Sequence, residues 1–100
     1  MDITPKELKT KIDSGEDFVL IDVREPNEHE AFNVGGKLIP VKSIPARIGE
    51  LSDLKDKEVV VYCRSGARSG MAQQFLMQNG FSNVRNLTGG MLAWQDEFAG

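Results

Sequence analysis

Glu58-Val-Val-Val-Tyr62-Cys63-Arg-Ser-Gly-Ala-Arg68-Ser69 decides how the rest of the 100-residue chain is read. The run from Glu58 to Tyr62 is dominated by β-branched residues, the pattern of a strand buried on both faces of a parallel sheet. Arg64 to Ser69 is rich in turn formers, and Met71, Phe75 and Leu76 then mark a helix that Asn79-Gly80 ends. A strand, a tight loop and a helix in direct succession form the repeating half-unit of an α/β sheet.

The flanking segments fit the same unit. Downstream, Asn83 to Leu87 reads as a short strand, and Gly89-Gly90 leads into a last helix holding Leu92 and Trp94. Upstream, Thr4-Pro5-Lys6-Glu7 is a helix start, with a capping Thr, Pro at the first helical position and Glu to close a capping box. Leu8 and Ile12 share a face of that helix, and Gly15 is its expected stop. Phe18 to Val23 is an apolar run of strand length with Asp22 as the odd member, and Pro26 to Phe32 reads as a short helix. Lys37 to Val41 reads as a strand whose Pro40 favours an edge or a strand end, and Ile44 to Leu54 as helical. The alternation predicts a single α/β domain over residues 1–100, with a small, mainly parallel sheet, right-handed crossovers and helices on both faces.

Composition excludes several functions. One Cys cannot form an internal disulfide, and one Cys with one His is too few for a structural zinc site, so no metal is expected. A sequence pI of about 5.1 argues against general nucleic-acid binding. No apolar run reaches the ~18 residues of a membrane span. The charged, periodic N-terminus is unlike a signal peptide, so a cytoplasmic protein is expected. The net charge of −3 is unevenly spread. Val59 to Gln95 contains no Asp, Glu or Lys and three Arg (Arg64, Arg68 and Arg85), so an anionic ligand approaching that stretch is expected to meet only positive charge.

The loop after the buried strand carries the chemistry. Ligands of open α/β sheets bind at the carboxyl ends of strands, and a tight loop entering a helix aims successive backbone N–H groups inward as an anion cradle. Gly66 supplies the backbone freedom such curling requires. Cys63 opens the loop, so its thiolate should be favoured and its pKa lowered. Arg64 and Arg68 add charge and two-pronged donors for an oxyanion. A Cys protease or acyl transferase needs a base near the thiol. His29, between Glu28 and Glu30, is the sole candidate and reads as a solvated surface residue. A dithiol oxidoreductase lacks its second Cys. Sulfur transfer or phosphoryl transfer remains. Asp22 is costly in an apolar strand unless paired or hydrogen-bonded; it reads as the cap of a neighbouring loop, or Asp22 and Arg24 read as members of ion pairs supporting the site wall, with direct contact with substrate as the alternative. Tyr62, Phe75, Phe81 and Trp94 read as core.

Val60-Val-Tyr-Cys-Arg-Ser-Gly-Ala-Arg-Ser69, Gly80-Phe-Ser-Asn-Val84, and Leu87-Thr-Gly-Gly-Met-Leu-Ala-Trp94 together resemble the rhodanese (thiosulfate sulfurtransferase) family in its single-domain form. Leu20-Ile-Asp-Val-Arg-Glu-Pro26 and Ile39-Pro40 resemble further landmarks of that family, so the likeness spans about Thr4 to Trp94. One departure stands out: where such proteins often carry a His ahead of the Ile-Pro landmark, Phe32-Asn-Val-Gly-Gly36 has none. Four residues separate Cys63 from Arg68, like the sulfurtransferase loop, whereas similar-looking phosphatases have one more and a wider loop.

The resemblance implies a double displacement. Cys63 takes a sulfur from a small anionic donor, thiosulfate or another persulfide, and passes it from a Cys63 persulfide to a thiol or cyanide acceptor. No cofactor is implied. Arg64, Ser65, Gly66, Ala67 and Arg68 would bind substrate, Arg68 holding the loop and the anion and Arg64 recruiting from outside. Asp22, Arg24 and Ser69 would support them. The alternatives are a sulfur-relay module that docks a partner protein and has little thiosulfate activity, and a Cys-dependent phosphatase or arsenate reductase.

Overall fold

The computed structural model describes residues 2–98. Four strands, β1 (Val19–Asp22), β2 (Lys37–Leu38), β3 (Glu58–Tyr62) and β4 (Asn83–Asn86), form one all-parallel sheet in the order β2-β1-β3-β4. Five helices connect or flank them: α1 (Pro5–Asp13), α2 (Pro26–Ala31), α3 (Ile44–Arg47), α4 (Ala67–Gln78) and α5 (Gly90–Phe98). The expected α/β architecture is present.

Period-two alternation in β3 divides the core into two layers. Val59, Val61 and then Cys63 face Ile21, Val23, Ile44, Leu51, Ala72 and Leu76, beneath α3 and α4. Val60 and Tyr62 face Ile3, Leu8, Leu87, Met91 and Trp94, beneath α1 and α5. Helices therefore cover both faces, and β3 is apolar throughout its interior because neither side meets water. Asp22 pairs with Tyr62 across β1 and β3, so the carboxyl ends of the two central strands, and the residues just beyond them, lie together.

Local chemistry explains most boundaries. Thr4 caps α1 through a complete capping box with Glu7. The chain leaves that helix through Ser14 and the positive-φ Gly15. Two expectations need correction. The segment 37–41 is a strand only over Lys37–Leu38. Ile39 and Val41 still donate to the Asp22 and Val23 carbonyls at 2.9 and 3.0 Å, but Pro40 has no N–H and the chain turns at Val41–Ser43. The segment 44–54 is α-helical only to Arg47 and continues as a 3₁₀ helix over Ile48–Leu54. Its apolar residues Ile48, Leu51 and Leu54 recur every third position, the period of the tighter helix.

Phe32 to Gly36, where the usual His is missing, follows a well-defined path. Asn33 donates to the His29 carbonyl at 2.9 Å and accepts from Gly35 N–H at 2.8 Å. Gly36 donates to the Tyr62 hydroxyl at 3.3 Å, and a side chain there would run into the Tyr62 ring.

Candidate active site

Cys63 follows the last residue of β3 and is 1% exposed. Its sulfur accepts from Gly66 N–H at 3.1 Å, Ser69 N–H at 3.4 Å and the Ser69 hydroxyl at 3.3 Å. Burial pushes the thiol pKa up, but these donors and the Ser65 N–H outweigh it and hold the thiol below its ordinary value. The loop turns at Gly66, whose φ of 106° is left-handed, and α4 begins at the next residue. Ser69 is wholly buried, one turn into α4, so its hydroxyl reaches the sulfur without competing water.

Two elements back the loop from outside. α5 donates to the loop's own carbonyls: Met91 N–H to Cys63 at 2.9 Å and Leu92 N–H to Arg64 at 3.0 Å. In a trans peptide the C=O and N–H point opposite ways. Carbonyls held toward α5 therefore turn the Arg64 and Ser65 N–H groups away from it. This approach is why Gly90 must lack a side chain. A Cβ there would lie 2.5 Å from the Cys63 carbonyl oxygen and 2.6 Å from the Arg64 carbonyl group, at a left-handed φ of 60°.

Asn86, the last residue of β4, is the second support. Its Nδ2 donates to the Gly66 carbonyl at 3.0 Å, and its Oδ1 accepts the Ser69 hydroxyl at 2.5 Å. Ser69 has one hydroxyl proton for two acceptors, the Asn86 oxygen and the Cys63 sulfur. Asn86 thus sets both the curl of the loop at Gly66 and the direction of the Ser69 dipole. A Cβ at Gly70 would sit 3.4 Å from Asn86 Nδ2, so the glycine keeps this contact uncrowded.

Beside the loop lies a polar cluster at the end of β1. Asp22, wholly buried, accepts from Arg24 Nε at 2.9 Å, Arg24 Nη2 at 2.7 Å, Arg24 N–H at 3.0 Å and contacts His29 Nδ1 at 2.8 Å. Burial pushes its pKa up, but these partners overcome it and hold the carboxyl below its ordinary value. Arg24 also donates to the Phe32 carbonyl at 2.6 Å and lies over the Tyr62 ring at 5.5 Å. Burial and the nearby Asp22 charge push the Tyr62 phenol up to about 12. The reading of Asp22 and Arg24 as an ion pair agrees with these contacts.

The sequence-predicted residues are not equivalent in space. Cys63, Gly66 and Ser69 converge on the sulfur, while Arg64, Ser65 and Ala67 are exposed around it. Arg68 is held by Glu28 of α2 through two hydrogen bonds of 2.8 and 3.0 Å. Arg85 is bound to Glu58, at the opposite end of β3 from Cys63, at 2.8 Å. The expectation that a ligand meets only positive charge is therefore wrong, because folding returns carboxylates from distant segments to two of the three arginines. Arg64 makes no ion pair among the described residues. His29 also differs from expectation: it is half-buried against Asp22 rather than a solvated surface residue. Its neighbours diverge, Glu28 toward Arg68 and Glu30 to solvent. Asn86, Glu28 and Gly90 are site residues that the sequence alone does not mark as such. The unpaired cost of Asp22 was the one signal that could have found His29.

Comparisons with known proteins place this geometry. The model of the rhodanese-like domain matches residues 4–97. A sulfurtransferase of Allochromatium vinosum is 42% identical over 94 residues, spanning 93% of this chain and 86% of that protein. The Mycobacterium tuberculosis protein named "Probable adenylyltransferase/sulfurtransferase MoeZ" is 40% identical over 93 residues, which are 92% of this chain but 24% of MoeZ. The structure of the human single-domain sulfurtransferase TSTD1 superposes with a TM-score of 0.84 at 25% identity, covering 96% of each chain.

Proposed function

Since this chain belongs to the rhodanese-like domain family, we propose that it transfers sulfane sulfur through a persulfide on Cys63, with thiosulfate or another persulfide as donor. Its relatives support sulfur transfer as the class of chemistry. The observation that carries the mechanism is the set of donors at 3.1 to 3.4 Å around the Cys63 sulfur. They stabilise an anionic sulfur without a general base.

In the first half-reaction the Cys63 thiolate attacks the outer sulfur of the donor. The donor's S–S bond breaks and its electron pair leaves with sulfite when thiosulfate is used. Cys63 is left as a persulfide anion, whose charge the Gly66 and Ser69 donors are positioned to share. A thiol or cyanide then takes the outer sulfur and returns the thiolate. Splitting one transfer into two is the advantage of covalent catalysis, and fixed dipoles aimed at the developing charge are its electrostatic part. Arg68 holds the loop against α2, and exposed Arg64 meets the donor first. Incubation with thiosulfate followed by intact mass spectrometry should show one added sulfur atom on Cys63, released as thiocyanate by cyanide. Absence of both would defeat the proposal.

A relay role is the second reading, favoured by the likeness to one quarter of MoeZ. It predicts faster sulfur transfer from loaded Cys63 to a protein thiol than to cyanide.

A further inference from the structure

Arg68 is the cation built into the helix start beside the sulfur, and it is already occupied. Glu28 Oε1 accepts from Arg68 Nη1 at 2.8 Å and Oε2 from Arg68 Nη2 at 3.0 Å. Glu28 is itself fixed, because Oε1 also accepts from Glu25 N–H at 3.0 Å at the start of α2. Glu25 adds a second negative field on Arg68. On the other side, Arg24 acts on Glu28, but its own charge is tied to buried Asp22. Of the two loop arginines, Arg68 is thus bound in an ion pair, and exposed Arg64 makes none among the described residues. Glu28 thus ties the start of α4 to α2 and at the same time sets a negative charge against Arg68. A glutamine there has the same shape and one acceptor oxygen for Glu25 N–H and Arg68 Nη1, but its amide nitrogen cannot accept from Arg68 Nη2, so it removes the charge and one hydrogen bond.

From this arrangement we infer that Glu28 is a positioning residue that, through Arg68, sets how much negative charge the donor can bring, favouring singly charged sulfane-sulfur donors over doubly charged ones. The inference rests on the sulfur-transfer reading above. Thiosulfate and methanethiosulfonate make a matched pair of probes. In both, the Cys63 thiolate attacks the outer sulfur, the S–S bond breaks, and the electron pair leaves with sulfite or methanesulfinate. Both steps generate the same Cys63 persulfide. The donors differ by one unit of charge on the group that departs.

The experiment compares kcat/KM for the two donors in the parent protein, Glu28→Gln and Glu30→Gln. Glu30 is exposed on the same helix and controls for the loss of a charge in general. In Glu28→Gln the ratio of thiosulfate to methanethiosulfonate should rise roughly threefold to tenfold at low ionic strength, the size of one added unit repulsion removed across several ångströms of partly hydrated protein. The rise should shrink with added salt, and Glu30→Gln should leave the ratio at the parent value. A merely structural loss in Glu28→Gln would lower both donors together and leave the ratio unmoved. An unchanged ratio while both donors still load Cys63, or an equal rise in Glu30→Gln, overturns the inference. Failure of either donor to load Cys63 in the parent protein instead overturns the sulfur-transfer reading on which it rests.

Discussion

Replacing Ser69 by Ala removes one of the three donors found within 3.4 Å of the Cys63 sulfur and leaves Gly66 N–H and Ser69 N–H in place. A hydrogen bond to a charged group contributes roughly 1.5–3 kcal/mol net. The lower end applies here, because the Ser69 proton is contested by Asn86 Oδ1 at 2.5 Å. About 1.5 kcal/mol corresponds to about one pKa unit. The thiol pKa of Ser69→Ala should therefore rise by about one unit. Thiolate abundance on the acid side of the titration falls about tenfold, but a thiolate of higher pKa is intrinsically more nucleophilic, with a Brønsted slope of about 0.4–0.5. The net expectation is a reaction with dipyridyl disulfide roughly threefold to fourfold slower at low pH and roughly threefold faster above both pKa values. The two pH–rate profiles should cross. A simple loss of folded protein lowers the whole curve and produces no crossing. A profile that superposes on the parent's, or one displaced to lower pH, would refute the assignment of Ser69 as a donor to the sulfur.

Asn86→Asp puts an acceptor against the Gly66 carbonyl and a negative charge near the sulfur, so it should raise the Cys63 pKa further than Ser69→Ala in the same assay. Gly90→Ala should destabilise the protein by at least about 3 kcal/mol, combining left-handed strain of about 1–2 kcal/mol with a backbone collision. Gly15→Ala, at a φ of 68° with nothing within 4 Å, should cost only the strain, and thermal unfolding of the pair separates the two effects. Glu28 is held at about 2 by the Arg68 guanidinium. A depressed carboxyl stabilises the fold above its unfolded pKa of 4.5 and loses that contribution as the pH falls toward about 2. Glu28→Gln should accordingly be less stable than the parent by about 1 kcal/mol at neutral pH, and denaturant titrations should show the gap closing between those two pH values. A gap that widens in acid would contradict the ion pair.

What sequence reading reaches in this protein is set by how far apart the interacting residues lie along the chain. β3, the Cys63 loop and the start of α4 are one continuous stretch, so turn chemistry and strand composition are enough to locate them. The Asp22–Arg24 pair is legible for the same reason: a single residue separates the partners, and a buried carboxylate has a cost that demands one. Glu28 and Arg68 are forty positions apart in the sequence, and Ser69 and Asn86 are seventeen positions apart. Neither pair has a local pattern, since a surface-type Glu and a strand-end Asn look ordinary in their own segments. The charge count shows why this matters for function. Val59 to Gln95 carries no Asp, Glu or Lys, yet negative charge is not kept from the site, because Glu28 reaches it from α2. Parallel strands must be joined by crossovers, and the crossover leaving β1 begins with α2 at the same carboxyl edge as the Cys63 loop. Topology thus delivers Glu28 and His29 to the site from an acidic segment that lies outside the acid-free stretch. The Cys63 sulfur is consequently ringed by hydrogen-bond donors, with Arg68 paired to Glu28 beside it and Arg64 in no ion pair among the described residues. Two different controls therefore act there: Glu28 bears on the charge a donor can bring, while the dipoles whose directions are held by Asn86 and α5 act on the Cys63 sulfur itself.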